Sequence, residues 1–379
     1  MNKKILFLTG TRADFGKLKS LIRICNATNG FDVSIFATGM HLQEQYGYTF
    51  HEIEKSGFSN IHCFANHANG RGMDTTMAKT IEGLSEYVKE NRPDLLVVHG
   101  DRIEALAGSI VGALNNILVA HIEGGEVSGT VDELIRHAVT KMSHLHYVSN
   151  DEAAARLIQM GEIPDSIHVI GSPDMDVMVS ADLPGLDEVK RHYEIPYEEY
   201  GIIMFHPVTT ELDKIKMASE NLFEAARQSG LNYIVVYPNN DMGSDYILES
   251  IDSLNGDLQF RVFPSIRFES FLTLLQSSQF ILGNSSAGIR EAPFYGVPTV
   301  NVGSRQLGRS ANPNILHCSY EVDSISNAIK RAMEAGRFES MHTFGCGSSD
   351  LRFIQTLQNP STWNTESQKR FLDIKMNYG

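Results

Sequence analysis

Positive charge is in short supply. Lysine and arginine number 32 against 46 acidic residues, a formal net charge of −14 over 379 residues. No stretch is rich in lysine or arginine, the footprint a polyanion-binding protein carries, so nucleic acid is not expected as a partner. Cysteine is scarce as well. Cys25, Cys63, Cys318 and Cys346 are scattered and form no C-x-x-C pair. That argues against a disulfide framework or a zinc–thiolate site and for reduced thiols. Long apolar runs are missing: none approaches the roughly 18 residues of a membrane helix, so no membrane span is expected. The first apolar run, Ile5–Leu8, ends at Thr9-Gly10-Thr11-Arg12. It is too short for a signal peptide and lacks a small-residue cleavage site, so a cytoplasmic protein is the simplest expectation.

What is present is an ordinary globular composition, 42% apolar and 21% charged, in 42.1 kDa. At about 150 residues per domain this predicts two or three domains. Strand-length apolar runs alternate with helical patterns. In the first half the runs are Lys4–Leu8, Val33–Ala37, Ile61–Phe64, Leu95–Val98, Ile117–Ile122, His146–Ser149 and Ile167–Ile170. Phe15, Leu18, Leu21, Ile22 and Cys25 make one apolar helical stripe. The second half repeats the scheme with Ile202–Phe205, Tyr233–Tyr237, Phe260–Phe263, Phe280–Leu282 and Thr299–Val302. Helices are predicted near 211–229, 267–277, 288–295 and 322–335. Continuous apolar strands between helices argue for parallel sheets covered on both faces, an α/β fold of two doubly wound domains. The domain change is expected between about 170 and 190, where Asp182-Leu183-Pro184-Gly185 breaks the pattern. The tail after Pro360 reads as one more helix, with Phe371 and Ile374 on its apolar side. In such sheets ligands sit beyond the carboxyl ends of the strands, so those ends carry the functional reading.

The first strand runs into Gly10-Thr11-Arg12-Ala13-Asp14-Phe15-Gly16-Lys17. Amides at that helix start, with Arg12, suit an anion, although an ordinary strand-to-helix turn reads the same way. It is neither G-x-G-x-x-G nor a P-loop, so no dinucleotide or ATP site is indicated. Two further strands end in His99-Gly100-Asp101-Arg102 and His121-Ile122-Glu123-Gly124-Gly125-Glu126. Carboxylates there are costly unless paired or functional. Ion pairing with Arg102 and Arg136 is the plain alternative. Two histidines and two carboxylates leave a metal open on paper, but the spacing matches no familiar metal motif and none is expected. Gly124, Gly125 and Gly129 suggest a moving loop before a helix that starts near Thr130, on which Asp132 and Arg136 share a face. In the second half His206-Pro207-Val208-Thr209-Thr210 offers either a capped core imidazole or a substrate donor. Gly283-Asn284-Ser285-Ser286-Ala287-Gly288 leads into a predicted helix bearing Glu291, and the amides at its start suit a diphosphate. Arg305-Gln306 after the next strand adds a cation.

These strings, in order from about residue 3 to residue 310, resemble the hydrolysing UDP-N-acetylglucosamine 2-epimerases of sialic and nonulosonic acid biosynthesis. The resemblance implies the two-domain GT-B fold, two Rossmann-like domains facing across a cleft, with boundaries expected at 1–172, 173–360 and 361–379. The last piece would pack back on the first domain. It implies no metal and no cofactor. The reaction would turn UDP-N-acetylglucosamine and water into UDP and N-acetylmannosamine through a 2-acetamidoglucal. Some bacterial branches take a UDP-linked 2,4-diacetamido-trideoxy sugar towards legionaminic acid instead. Animal members carry a fused kinase, and the length here leads us to expect the epimerase alone.

By the same resemblance Asp101, Glu123 and Asp132 would be the proton-transfer groups, with Arg136 and Arg102 holding them ionised and His121 a candidate acid. Arg12, Lys17, Ser285, Ser286 and Arg305 would serve the diphosphate, His206 a phosphate or sugar oxygen, and Glu291 the ribose. Asn239 belongs to the nucleotide loop, in which Asp245 stands where the animal enzyme has lysine. Ile266 and Phe268 fall where relatives hold uracil, or they pack in the core. A homodimer or homotetramer is implied. The non-hydrolysing relatives, a glycosyltransferase of the same fold and a non-catalytic nucleotide-sugar sensor are the alternatives.

Overall fold

A computed structural model describes residues 2–66, 72–128, 131–180, 182–310, 312–370 and 372–373. The chain divides into two compact units. The first comprises Met1–Glu126, Asp132–Val179 and Phe344–Gly379, and the second Val127–Val131 with Ser180–Thr343.

In the first unit the elements run β1 (Lys3–Thr9), α1 (Arg12–Ala27), β2 (Phe31–Ala37), α2 (Phe50–Lys55), β3 (Ile61–Cys63), α3 (Met73–Asn91), β4 (Leu95–His99), α4 (Ile103–Leu114), β5 (Leu118–Ile122), α5 (Val131–Met142), β6 (Leu145–Val148), α6 (Asp151–Gln159), β7 (Ile167–Val169) and α7 (Pro173–Met178). Its seven strands are all parallel, in the order β3-β2-β1-β4-β5-β6-β7. The second unit follows with α8 (Leu186–His192), β8 (Gly201–Met204), α9 (Ile215–Gln228), β9 (Tyr233–Val236), α10 (Ser244–Asp252), β10 (Phe260–Phe263), α11 (Phe268–Ser277), β11 (Ile281–Gly283), α12 (Glu291–Phe294), β12 (Thr299–Val302), β13 (Ile315–Cys318) and α13 (Val322–Ala335). Its parallel sheet runs β10-β9-β8-β11-β12-β13. Each sheet therefore reverses its winding once, between β1 and β4 in the first and between β8 and β11 in the second. At such switch points the connecting loops diverge and leave a crevice.

Strand burial follows from helices on both faces. Ile5 to Thr9 on β1 are all buried, without alternation. The α1 stripe of Phe15, Leu18, Leu21, Ile22 and Cys25 is buried as its period predicts. Thr11 caps that helix by accepting the amide of Asp14.

Three expectations change here. The boundary falls after Val179, inside the expected 170–190 interval though later than 172, and the chain returns at Phe344 rather than at 361. The cause is packing at each end. In α7 the fully buried Asp174 pairs with Lys17 of α1 at 3.0 Å. In α14 (Ser349–Gln358) Phe353 sits edge-on to Tyr147 at 4.6 Å. Among the described residues from Pro360 onwards the tail forms a short 3-10 turn, Pro360–Asn364, and Phe371 and Ile374 lie outside the described residues. The helix expected over 288–295 divides into a 3-10 turn, Ser286–Gly288, and the single turn of α12, which contains Pro293. The tail is anchored by Lys369. Its Nζ donates to the Thr140 carbonyl at 2.8 Å and the Ser143 carbonyl at the end of α5, and it pairs with Glu162. Burial alone would raise the Glu162 carboxyl, but His146, Lys141 and Lys369 bring it down to about 2.

Candidate active site

At the first switch point three strand ends bring titratable groups together. Asp14, one turn into α1, accepts the Gly10 amide on Oδ2 at 3.1 Å. Its Oδ1 accepts His99 Nδ1–H at 2.8 Å from the end of β4. The other ring nitrogen, His99 Nε2, lies 3.1 Å from Glu123 Oε2 just past β5. Ser172, after β7, donates its hydroxyl to Glu123 Oε1. Burial alone would push the His99 pKa down, but Glu123 and Asp14 on either side lift it to about 9. Glu123 is 4% exposed and sits at φ +64°, a conformation costly for a non-glycine residue and typical of a functional constraint. Arg136, buried in α5, donates to Asp101 and to the Glu123 carbonyl at 2.6 Å.

The sequence-predicted residues divide. Asp101, Glu123 and Arg136 do converge. Asp132 stands in the first turn of α5, four residues before Arg136. Arg102 begins α4 and its Nε donates to Glu104 at 3.3 Å. Arg12 opens α1, with its guanidinium 3.4 Å from Glu52.

Two assignments are corrected. His121 cannot serve as the acid. Its Nε2–H donates to the Gly100 carbonyl at 2.8 Å and its Nδ1 pairs with the Thr140 hydroxyl at 3.1 Å, while burial drives its pKa down to about 3. It is a neutral pin between β5, α5 and the Gly100 turn. Lys17 is 8% exposed and committed to Asp174, so it ties α1 to α7 rather than meeting a phosphate.

Of the expected moving loop, Gly124 and Gly125 are described and both are closely packed. Gly125 has φ +76°, and a Cβ there would lie 2.3 Å from the Ala153 carbonyl oxygen. Arg156 donates to the Gly125 carbonyl at 3.2 Å, and Ser149 to Glu126 at 2.8 Å. Gly124 packs against His121 and Thr140. These glycines permit close packing of an anchored turn. Gly129 and Thr130 lie outside the described residues.

At the second switch point the contact joining the two strand ends is made by neutral groups. Asn284, after β11, accepts the His206 amide at 2.7 Å and donates to the His206 carbonyl at 2.9 Å, joining the two strand ends reciprocally. Gly283 makes this possible, because at φ +133° it abuts the Met204 carbonyl so closely that a Cβ would overlap it. His206 Nδ1 accepts the Asn239 amide at 3.0 Å. That nitrogen carries no proton, so the ring is the neutral tautomer with Nε2–H as its donor. Asn239 also donates to Asp241, and its buried Oδ1 has no donor among the described residues. Arg305 and Gln306 both donate to the Asn284 carbonyl, at 3.2 and 2.8 Å. Ser285 spends its hydroxyl on the Ala287 amide, and Ser286 opens the 3-10 turn. Glu291 begins α12 and is buried. Ile266 and Phe268, 6% exposed each, are largely committed to packing. Asp245 lies in the first turn of α10.

Sequence reading passed over Asp14, His99 and Ser172 as working residues. His99 lay inside a quoted string and Asp14 three residues past a helix cap. Ser172 had no signal at all, since only the fold brings the loop after β7 across β6 to the residue that follows β5. Among the described residues no group of three or more His, Cys, Asp or Glu side chains gathers as a metal site would require. No helix among them is long and apolar enough to cross a membrane.

Residues 23–358 match the family described as UDP-N-acetylglucosamine 2-epimerase. A UDP-N-acetylglucosamine 2-epimerase of Neisseria meningitidis is 48% identical over 99% of this chain and all of its own length. A hydrolysing UDP-N,N'-diacetylbacillosamine 2-epimerase of Legionella pneumophila is 33% identical over 94% of this chain and 96% of its own. Polysialic acid biosynthesis protein P7 of Escherichia coli is 32% identical over 95% and 89%. Among solved structures, a Methanocaldococcus jannaschii UDP-GlcNAc 2-epimerase in complex with UDP-GlcNAc and UDP superposes with a TM-score of 0.79 at 21% identity, covering 93% of this chain and 99% of that one. At that identity the likeness shows the fold, two parallel-sheet α/β domains of the GT-B kind.

Proposed function

The chain belongs to the UDP-N-acetylglucosamine 2-epimerase family, and from that premise we propose that it is a hydrolysing member. It converts UDP-N-acetylglucosamine and water to UDP and N-acetylmannosamine. The observation that carries this reading is the gathering of Asp101 and Glu123, each beside its own cation, at the first switch point.

Inverting C2 requires a proton to leave one face of the sugar and another to arrive on the opposite face. C2 is barely acidic until the anomeric C–O bond weakens. A carboxylate therefore takes the C2 proton as UDP departs. The C–H electron pair becomes the C1–C2 double bond, and the C–O pair leaves with UDP. Water then adds at C1 and a proton returns to C2 from the other side, giving the manno sugar. One carboxylate must start ionised to take the proton and the other must carry the proton that returns, and a cation beside each sets which form it holds. Glu123 and Asp101 fill these roles, with Asp132 the third candidate.

The second switch point supplies what a uridine diphosphate needs. His206 Nε2–H and Arg305 are donors for phosphate oxygens, with the Ser286 hydroxyl as a further donor. Asn239 Oδ1 is an acceptor for a nucleoside N–H or hydroxyl. The Escherichia coli relative named for polysialic acid supports a place at the first step of sialic acid biosynthesis.

The test is proton NMR of protein with UDP-N-acetylglucosamine in D₂O. UDP plus N-acetylmannosamine deuterated at C2 is expected. Epimerised UDP-sugar without release of free sugar would replace the hydrolytic reading by the non-hydrolysing one. The Legionella relative's named substrate is the next to try if neither forms.

A further inference from the structure

A buried ring with a carboxylate oxygen close to each nitrogen is favoured in its doubly protonated form. His99 sits that way, nine-tenths buried, with Asp14 at 2.8 Å and Glu123 at 3.1 Å. It is therefore an imidazolium inside the protein. The contacts differ in kind. Nδ1–H is aligned on Asp14 as a hydrogen bond, whereas Nε2 is close to Glu123 Oε2 but off the line of one. The ring thus lends Glu123 a positive charge at close range. Glu123 is fixed from its other sides too, by the Ser172 hydroxyl on Oε1, by Arg136 on its carbonyl and by its own amide on the Tyr147 carbonyl at 2.8 Å. Asp14 is in turn held by the Gly10 amide.

We propose that Asp14 and His99 are a positioning pair for catalysis: Asp14 keeps the second proton on His99, and the charged ring keeps Glu123 ionised and aimed for proton transfer at C2. The proposal rests on the epimerase reading above. It accounts for a buried cation that a merely structural pin, such as neutral His121 on the neighbouring strand, does without. The charged and titratable groups around the ring are Asp14 from α1, Glu123 after β5 and His121 on β5. One step further out stand Arg136 from α5 and its partner Asp101. The two carboxylates in direct contact dominate and hold the ring protonated to about pH 9.

Three measurements decide it. Histidine-selective ¹⁵N NMR of the wild-type protein needs no variant and no substrate. One ring doubly protonated at pH 8.5 is expected, and fourteen neutral rings would overturn the proposal. The pH dependence of kcat and kcat/KM for UDP release comes next. Asp14→Asn should bring the basic limb down by about 1–2 pH units as His99 loses its anion. His99→Gln should lose that limb, raise the acid limb and cut kcat about 10²-fold, with KM changing much less. A purely structural role would lower activity at every pH and leave the limbs in place, and that result, or a normal kcat in His99→Gln, rejects the pair. Near-UV circular dichroism establishes that each variant is folded, and Asp14→Asn carries the test if His99→Gln is not. Wild-type protein that turns over neither UDP-sugar would remove the epimerase reading, while the ring-nitrogen measurement would still stand by itself.

Discussion

The two switch points occupy the same place in sheets wound the same way, yet their chemistry is opposite. At β1 and β4 the joining contact is an ion pair, His99 with Asp14, and it leads on to Glu123, Arg136 and Asp101. At β8 and β11 it is a side-chain amide, Asn284, exchanging two hydrogen bonds with the His206 backbone. Buried charge is expensive and must be paired, so the first site needs a chain of partners reaching into α1, α5 and the loop after β7. A neutral site needs only satisfied donors and acceptors, and short loops provide them. A group that removes a proton from carbon must be a carboxylate held ionised. A group that holds a diphosphate must present donors and avoid negative charge. The same topology serves both because the strand ends, not the sheet, carry the difference.

The comparison breaks most sharply at Glu123. Replacing it with glutamine keeps shape and hydrogen bonds and removes the charge. We expect kcat to fall by about 10²–10⁴-fold, with UDP affinity by calorimetry essentially unchanged. A variant that instead loses UDP and keeps its kcat would reverse the division of labour. The second switch point should answer the other way. Asn284→Ala should weaken UDP binding about tenfold while kcat changes less, and leave the His206 amide and carbonyl unpaired at a cost of about 1–3 kcal/mol in urea unfolding. Gly283→Ala attacks the same junction through the backbone. Its φ of +133° and the adjoining Met204 carbonyl give an expected loss of about 1–3 kcal/mol, read as a lower Tm.

The dependence of stability on pH sharpens the contrast. The His99 pKa is raised from 6.5 in the unfolded chain to about 9 in the folded one. The stability it contributes is therefore complete below pH 6.5 and is lost as pH rises through about 9. Urea midpoints should decline over that interval in the wild type and decline less in His99→Gln.

Sequence made the interior strands plain because burial on both faces leaves an unbroken apolar run, as in Ile5–Leu8. It hid β13, where Ile315-Leu316-His317-Cys318 lies on a sheet edge and is only partly buried. It hid α14 too, whose Phe353, Ile354 and Leu357 make a stripe too short to stand out after a run of glycine and serine. The strand-end motifs located the candidate site, but not which side chain does what. His99 and His121 both read as histidines at strand ends. One residue of register separates them, His99 standing opposite Ile122 and His121 opposite Val98. That single step turns one ring towards two carboxylates and the other towards a carbonyl and a hydroxyl. Lys17 shows the same limit: a cation beside a glycine turn suggests phosphate, and only the position of α7 reveals Asp174 as its partner. Contacts between residues far apart in the chain have no period to betray them.

The return of the chain to its first unit at Phe344 sets the order in which the protein can be finished at the ribosome. Ser180–Thr343 is synthesised whole before α14 exists. The earlier strands, although made first, wait with the faces of Phe7 and Tyr147 open until Phe353 arrives to cover them. Lys369 closes the carbonyl end of α5 later still. Domains generally fold as units, N-terminal first, during synthesis. Here the later unit is the first to have all its parts, and the first unit, which holds the carboxylates, is completed only after it.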